Sequence, residues 1–595
     1  MRAIRCCELD MAALPLQENA ALLDTQASEA AKLFNERKYA EAEALVQKLL
    51  DVMPNQRNAL RVLFEIRKAQ NKHEAAAALG RRLAALPGAA NVRAQANTQY
   101  AQYLVAQGRH EEALPIAAAA LKAMPKDATV QHLMGVVLTE TGAVPEGEVH
   151  YRKALKLLPA EDGLVLANLA WNLKLQGRLD EAAELYEKAL TLRPENRRGV
   201  GGKAQVEFGR GRQAAAVAVL DEALGKWGDD RTLRLLRAMA DLAMRQPAAV
   251  LERLGATDGL MGPEILVRAQ AFDQLGQLPE AANAWANARR MQRERSGLVY
   301  RPEALQARAA AYKAYFTADR VQVLPRARPG AFTPVFLLGF PRAGTGLLEQ
   351  LLAQLPGFAG ADEFAPLSDL AGQIARLTGG GGYPEALDEL LLGGNLDLPE
   401  RLRAQYEERR ARQGLARPGV NFITDRGALN FWHIGLFKLL YPEAPVIHVL
   451  RHPYDLMLSN VMQDRKLEGN AQAGMLALAH YYALHADMVR HLRGQLTLRY
   501  MPVRYEDLVT DPELVLREVL GFIGGAGAVP QGIGANSGQV PHPLPAHFAL
   551  RGPVRAAGAF RHRAYLAAMP HLFDEVRDTL APWIEELGYM EEAAR

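Results

Sequence analysis

Cysteine is nearly absent: the 595-residue chain holds two, adjacent at Cys6 and Cys7. Neighbouring cysteines rarely bridge, and one pair cannot staple so long a chain. A disulfide-dependent secreted scaffold is therefore disfavoured, and a reducing, cytoplasmic setting is expected. Long apolar runs are missing too. No stretch reaches the ~18 residues that cross a bilayer, so no membrane span is expected. The opening MRAIRCCELDMAALPLQ has two arginines but no continuous apolar stretch of signal-peptide type, and either Met1 or Met11 could serve as the start. An excess of one charge is also lacking. Lys and Arg total 70 against 67 Asp and Glu, a net +3, so nothing global points to nucleic acid, while a local basic pocket for a small anion remains open. The 14 histidines are scattered, none at metal-ligand spacing with cysteine or another histidine, so no metal is expected.

What is present reads as a globular protein of two or more domains, with 49% hydrophobic and 23% charged residues over a length too great for one core. From about Ala27 to Arg290 apolar residues recur at helical spacing. The segments QGRHEEAL at Gly108, TGAVPEGE at Gly142, QGRLDEAA at Gly177 and RGRQAAAV at Gly211 follow at intervals of 34, 35 and 34 residues. Pro125, Pro159 and Pro194 form a second ladder, with weaker copies near Lys38, Lys72, Gln246 and Gly276. Each unit reads as two antiparallel helices: glycine permits the turn, an alanine four or five residues on permits close packing, and proline ends the unit and can open the next helix. The period resembles the tetratricopeptide repeat, with about eight units. Such arrays stack into a superhelix whose groove takes a protein or peptide.

Near Tyr300 the pattern changes. VQVLPRARPGAFTP reads as a linker, and the short apolar runs 335–338, 446–450 and 498–505 then alternate with helices, which predicts an α/β domain with a parallel sheet. The expected layout is an N-terminal segment 1–25, a repeat array 26–322, a linker 323–333 and an α/β domain 334–595; RLTGGGGYPEAL (376–387) reads as a mobile loop.

Val335–Leu338 as a strand, GFPRAGTG as a tight loop and LLEQLLAQL as a helix would aim backbone amides and a helix N-terminus at one anion. Gly339 and Gly344 have the spacing of the nucleotide triphosphatase loop, but Thr345 stands where its lysine should be, and no acidic residue ends the VIHVL strand to hold magnesium. The positive charge lies inside the loop, at Arg342, which favours a phosphosulfate over a triphosphate. PRAGTGLLEQLLAQLP resembles the P-R-S-G-T-[TS]-L-[LV]-E-Q loop of sulfotransferases that use 3′-phosphoadenosine 5′-phosphosulfate (PAPS), above all bacterial tetratricopeptide-repeat sulfotransferases, a group related to tyrosylprotein sulfotransferases. The resemblance covers about residues 332–590.

It implies that Arg342, Ala343, Gly344, Thr345, Gly346 and Leu347 cradle the donor, and that Arg451 and Ser459 in HVLRHPYDLMLSN hold its 3′-phosphate, a dianion suited to a guanidinium and a hydroxyl. Asp455 is read as capping or bracing its own helix. VRYEDLVTDPE would set Tyr505 near the adenine with Arg504 nearby, and Glu506 and Asp507 as structural groups. By the same resemblance Glu363 in GADE is the general base, with Asp362 beside it, and Arg426 in TDRGALNF takes the place of a sulfuryl-stabilising lysine, while Asn430 and Phe431 look structural; SGQV (537–540) and AAGAFRHR (556–563) match in part. Ala343, Gly346, Ala559 and Phe560 depart from the pattern, most of them removing a polar donor, with Arg561 or Arg563 as possible replacements. The alternative is thus a repeat scaffold whose domain binds nucleotide but has weakened turnover.

Overall fold

The computed structural model describes residues 16–589 except 257–258, 329–332, 361–365, 378–381, 393, 395, 413, 428, 526 and 534–553. The chain separates into two compact units, Met1–Asn172 and Leu173–Arg595, dividing inside the helix Gly163–Leu175. Among the described residues, sixteen helices between Leu16 and Ser296 follow one another as eight helix–turn–helix repeats. Each turn holds one residue at positive φ: Arg37, Asn71, Gly108, Gly142, Gly177, Gly211, Arg245 and Gly276. The fifth residue beyond each (Ala42, Ala76, Ala113, Gly147, Ala182, Ala216, Val250, Ala281) is buried. Small size matters there; a Cβ on Gly147 would meet Thr139 Oγ1 at 2.6 Å.

The prolines do not open helices as expected. Pro125, Pro159 and Pro194 lie three or four residues ahead of helices starting at Ala128, Gly163 and Arg197. Side-chain caps set those starts: Asp127 accepts from the Thr129 and Val130 amides, Asp162 from Leu164 and Val165, and Asn196 from Gly199. A short polar side chain satisfies first-turn amides that proline can only delete.

In the second unit five parallel strands, β1 (Thr333–Leu338), β2 (Phe358–Ala359), β3 (Phe422–Arg426), β4 (Pro445–Leu450) and β5 (Arg499–Arg504), are ordered β2-β3-β1-β4-β5. β1 is central and pairs Phe336 with both Asp425 and Val446. Both sides of the sheet are covered by helices, so strands such as Val335–Leu338 are apolar at every position. β2 and β3 escaped the sequence reading because β2 is two residues long and β3 (FITDR) ends in charges. Those charges are buried and paired. Asp425 accepts from Tyr406 Oη (2.7 Å), Arg410 Nη2 (2.6 Å) and Asn430 Nδ2 (2.8 Å), which makes the Asp and Asn of TDRGALNF structural.

Tyr312, Tyr315 and Phe316, from the Glu303–Tyr315 helix and its end, share one apolar cluster with β1. Leu324 is buried there and Ala327 is buried as well, with its amide donating to Leu439 O, so this stretch packs rather than hangs. The run read as a mobile loop is helical at both ends: Arg376–Leu377 close the helix Pro366–Leu377 and Ala386–Leu387 open Ala386–Leu392, while 378–381 lie outside the described residues. No helix among the described residues is long and apolar enough to cross a membrane.

Two stability tests follow from these buried groups. Arg410 and Asp425 are fully buried, so Arg410→Ala strands a carboxylate and is expected to cost about 3–5 kcal/mol in urea unfolding. Burial also pushes the imidazoles of His433, His452 and His485 from 6.5 down to about 3, and His448 to about 4. These rings stay neutral in the fold while the unfolded chain gains protons below pH 6.5. Stability is therefore full above that pH and falls as the pH drops towards 4. The urea midpoint is expected to be lower at about pH 5 than at neutrality.

Candidate functional site

The chain leaves central β1 for β3 and β2 on one side and for β4 and β5 on the other, so a crevice opens beyond the carboxyl ends of β1 and β4, where sheets of this kind bind ligands. The segment after β1 turns through Arg342 (φ 72) and Gly344 (φ 112) into the helix Thr345–Leu352. Glycine is required at 344, where a Cβ would lie 2.5 Å from the Tyr505 ring. The amides of Thr345 and Gly346 belong to the first helical turn and have no carbonyl one turn back, which leaves them for an anion. Ala343 does not join them: its amide donates to Phe340 O (2.9 Å) and its side chain is buried.

The helix Pro453–Val461, which follows β4, pins this loop. Asn460 Nδ2 donates to Pro341 O (2.8 Å), Arg342 Nε donates to Ser459 Oγ (3.2 Å), and Arg451 Nη1 donates to Arg342 O (3.0 Å). Arg451 Nη2 reaches Gly558 O (2.7 Å), and its guanidinium stacks 4.3 Å from the centre of the Tyr505 ring. Two motifs more than a hundred residues apart thus form one unit. Asp455 does not cap its own helix, whose first turn is capped by His452. It accepts instead from the Arg561 and His562 amides (3.2 and 2.7 Å), capping the helix Arg561–Ala568, and it pairs with His562 Nδ1 at 3.0 Å. Burial raises the Asp455 carboxyl, but His562 and Arg451 outweigh it and hold the group below its ordinary range. Glu506 accepts from the His452 amide and Tyr589 Oη, as a structural group should.

Around the loop lies a cavity of about 790 Å³. Arg342, Gly344, Thr345, Gly346, Leu347, Arg426, Arg451 and Tyr505 line it, together with Arg465, Arg555 and Arg561. Repeat residues reach it as well: Arg245, Asp273 and Gln274. Asp273 is the one carboxylate in this lining among the described residues, against seven arginines. Buried Arg426 donates through Nε to Glu349 Oε2 (3.1 Å), and Thr424 Oγ1 donates to Glu349 Oε1 (2.7 Å), so the Glu of the LLEQ run orients Arg426. Burial lowers the Arg426 guanidinium, opposed by Glu349.

Ser459 touches Arg342 without lining the cavity. Ala343 and Arg504 face a second cavity of about 740 Å³. Arg504 donates to the Leu587 and Gly588 carbonyls and lies on the Tyr589 ring, because successive residues at the end of β5 point to opposite sides. Glu363, Asp362 and the segment 537–540 lie outside the described residues. Of the two arginines offered as replacements for Ala559, Arg561 lines the cavity, while Arg563 stacks on Phe560 at 4.3 Å. Arg245, Arg465 and Arg555 were not singled out in sequence, since a lone arginine in a turn or helix carries no local signature. Among the described residues no group of three His, Cys, Asp or Glu side chains converges to hold a metal ion.

A model described as Sulfotransferase family matches residues 334–526, and tetratricopeptide-repeat models match 126–195 and 167–231. The chain carries a sulfotransferase-family domain and tetratricopeptide repeats. An uncharacterized protein of Aquifex aeolicus (strain VF5) is 28% identical over 211 residues, which are 35% of this chain and only 27% of that relative's length. Among solved structures, YrrB, described as a TPR protein with an unusual peptide-binding site, is 16% identical over 30% of this chain and 90% of its own, with a TM-score of 0.26. A tetratricopeptide repeat protein from Parabacteroides merdae is 16% identical over 45% of this chain and 93% of its own, with a TM-score of 0.32.

The contact between Gly344 and Tyr505 gives a direct test of the sulfotransferase-family loop. Gly344→Ala places a methyl into the Tyr505 ring at a positive φ, so it is expected to cost about 1–3 kcal/mol in thermal unfolding. A rise in melting temperature with inorganic pyrophosphate is expected for the wild type and not for Gly344→Ala.

Proposed function

We propose that this chain is a sulfotransferase that moves a sulfuryl group from PAPS to a hydroxyl of a protein, peptide or glycan acceptor, with the repeats binding a protein or peptide. The observation that carries this reading is the seven-arginine cavity built around a strand–loop–helix turn that lacks the triphosphatase lysine. Positive charge on the loop and on five other segments suits a ligand with phosphate at both ends, and the family match over 334–526 supports the reaction class.

The division of labour follows from chemistry. The first-turn amides of Thr345 and Gly346, with Arg342, would hold the 5′-phosphosulfate end. Arg451, with Ser459 behind it, would take the 3′-phosphate, and Tyr505 offers a face for the adenine. In the transfer the acceptor oxygen bonds to sulfur as the bond from sulfur to the 5′-phosphate oxygen breaks; its electron pair leaves with the phosphate, and the acceptor proton passes to a base. Glu363 is the proposed base, and Arg426, held by Glu349, is positioned to offset charge on the moving group. The burial of Ala343 away from the cavity matters here. A serine hydroxyl at that position would not face the anion, so this departure removes less than it seemed to in sequence. Gly346 does line the cavity, which keeps a nucleotide-binding, turnover-weakened module as the second reading.

Calorimetry with 3′,5′-diphosphoadenosine tests the site. Arg451→Ala, checked for a native melting curve, is expected to weaken binding by about 100-fold or more; unchanged affinity would refute the assignment. In a radiolabelled-sulfate transfer assay, Glu363→Ala should keep nucleotide affinity and lower the rate by about 100-fold or more. Nucleotide binding with no transfer to any hydroxyl acceptor would select the second reading.

A further inference from the structure

The turn ladder of the repeats contains an exception that lies at the cavity. Five of the eight hairpin turns place glycine at the positive-φ position, and Arg245 follows Gly211 by 34 residues in that same place, with φ 61. A side chain in this region costs on the order of 1 kcal/mol relative to glycine. Arg37 and Asn71 share the conformation, so the turn itself is not diagnostic. What distinguishes Arg245 is where its side chain goes: it lines the same cavity as the loop 341–347, Arg451 and Tyr505.

Its neighbours there are mainly positive. Arg555 and Arg561 line the same cavity, and the carboxylate that could offset them, Asp273, is already engaged: its Oδ1 accepts from Arg561 Nη2 (2.7 Å) and Tyr565 Oη (2.9 Å). Burial and the charge of Arg555, with a smaller effect of Arg561, hold the Arg245 guanidinium below its ordinary value despite Asp273. Like charges gathered without matching carboxylates are relieved by an anion. Arg451 meets the same segment, through Gly558 O, and stacks on the same Tyr505.

We propose that Arg245, contributed by a repeat turn, is part of the nucleotide site and binds the donor's 3′-phosphate beside Arg451 and Arg555. This rests on the PAPS reading above. The repeats then complete the donor site as well as offering a docking surface. Asp273, on the repeat helix Gly262–Gln274, anchors Arg561 in the same wall.

Arg245→Gly is a clean test because glycine is what most of the other turns use; it relaxes the backbone, and the melting temperature should hold or rise. By calorimetry it is expected to weaken 3′,5′-diphosphoadenosine by about tenfold or more while changing adenosine 5′-monophosphate less than about twofold. Arg245→Lys should recover part of the loss, and Arg37→Gly, the same change at a turn that does not line the cavity, should alter neither affinity. Equal binding of 3′,5′-diphosphoadenosine by Arg245→Gly and wild type would overturn the proposal while leaving the PAPS reading intact. An equal loss for both nucleotides would overturn the 3′-phosphate assignment. A wild type that binds neither nucleotide would overturn this proposal and the PAPS reading together.

Discussion

Arg451 is the interaction on which the site depends. It leaves the end of β4 buried and donates to the carbonyl of Arg342 in the loop and to that of Gly558 near the C-terminus, with its flat face on Tyr505 from the segment after β5. Four pieces of chain, the outermost of them (Arg342 and Gly558) more than two hundred residues apart, are held by one planar cation. Arginine suits this role because its five donors lie in a rigid fork and its charge persists when buried, where a lysine would offer one point of attachment and lose its proton more readily. The same side chain that assembles the crevice also lines the cavity, so the shape and the charge of the site are set together.

A second buried arginine joins the repeats to this arrangement within the same compact unit. Arg289, from the repeat helix Leu278–Ser296, donates to the Val461 and Gln463 carbonyls, and Gln270 donates to Met462 O. These carbonyls end the helix that carries Ser459 and Asn460 and would otherwise be unsatisfied. A cation at a helix C-terminus also opposes the macrodipole. The last repeats are thus fixed to the helix that pins the loop after β1, and their turns reach the cavity as a consequence of that docking rather than by chance proximity.

The loop, the Arg451–Ser459 motif and the repeat ladder were legible because each is local. Glycine spacing reports a backbone that must turn, alternating apolar runs report strands, and a 34-residue rhythm reports hairpins whatever surrounds them. Other features had no such signal. β3 ends in Asp425 and Arg426, and in sequence a charged pair argues against a buried strand; only the convergence of Tyr406, Arg410 and Asn430 on Asp425 makes it tolerable. Asp455 looked like a cap for its own helix because its distant client, the helix Arg561–Ala568, is brought alongside by folding. Ala343 looked like a lost donor because sequence lists side chains without saying which way they face.

The sequence by itself therefore determined the repeat hairpins, a parallel sheet and a strand–loop–helix turn with its charge inside the loop, since each follows from interactions spanning a few residues or one period. The tertiary structure decided which of the 70 basic side chains gather at that turn. Arg245, Arg465, Arg555 and Arg561 join Arg342, Arg426 and Arg451 there. The reason is physical: a charged pocket is a sum over residues far apart in the chain. Its strength depends on distances of a few ångströms that only packing sets, while the residue type at any one position is indifferent to it.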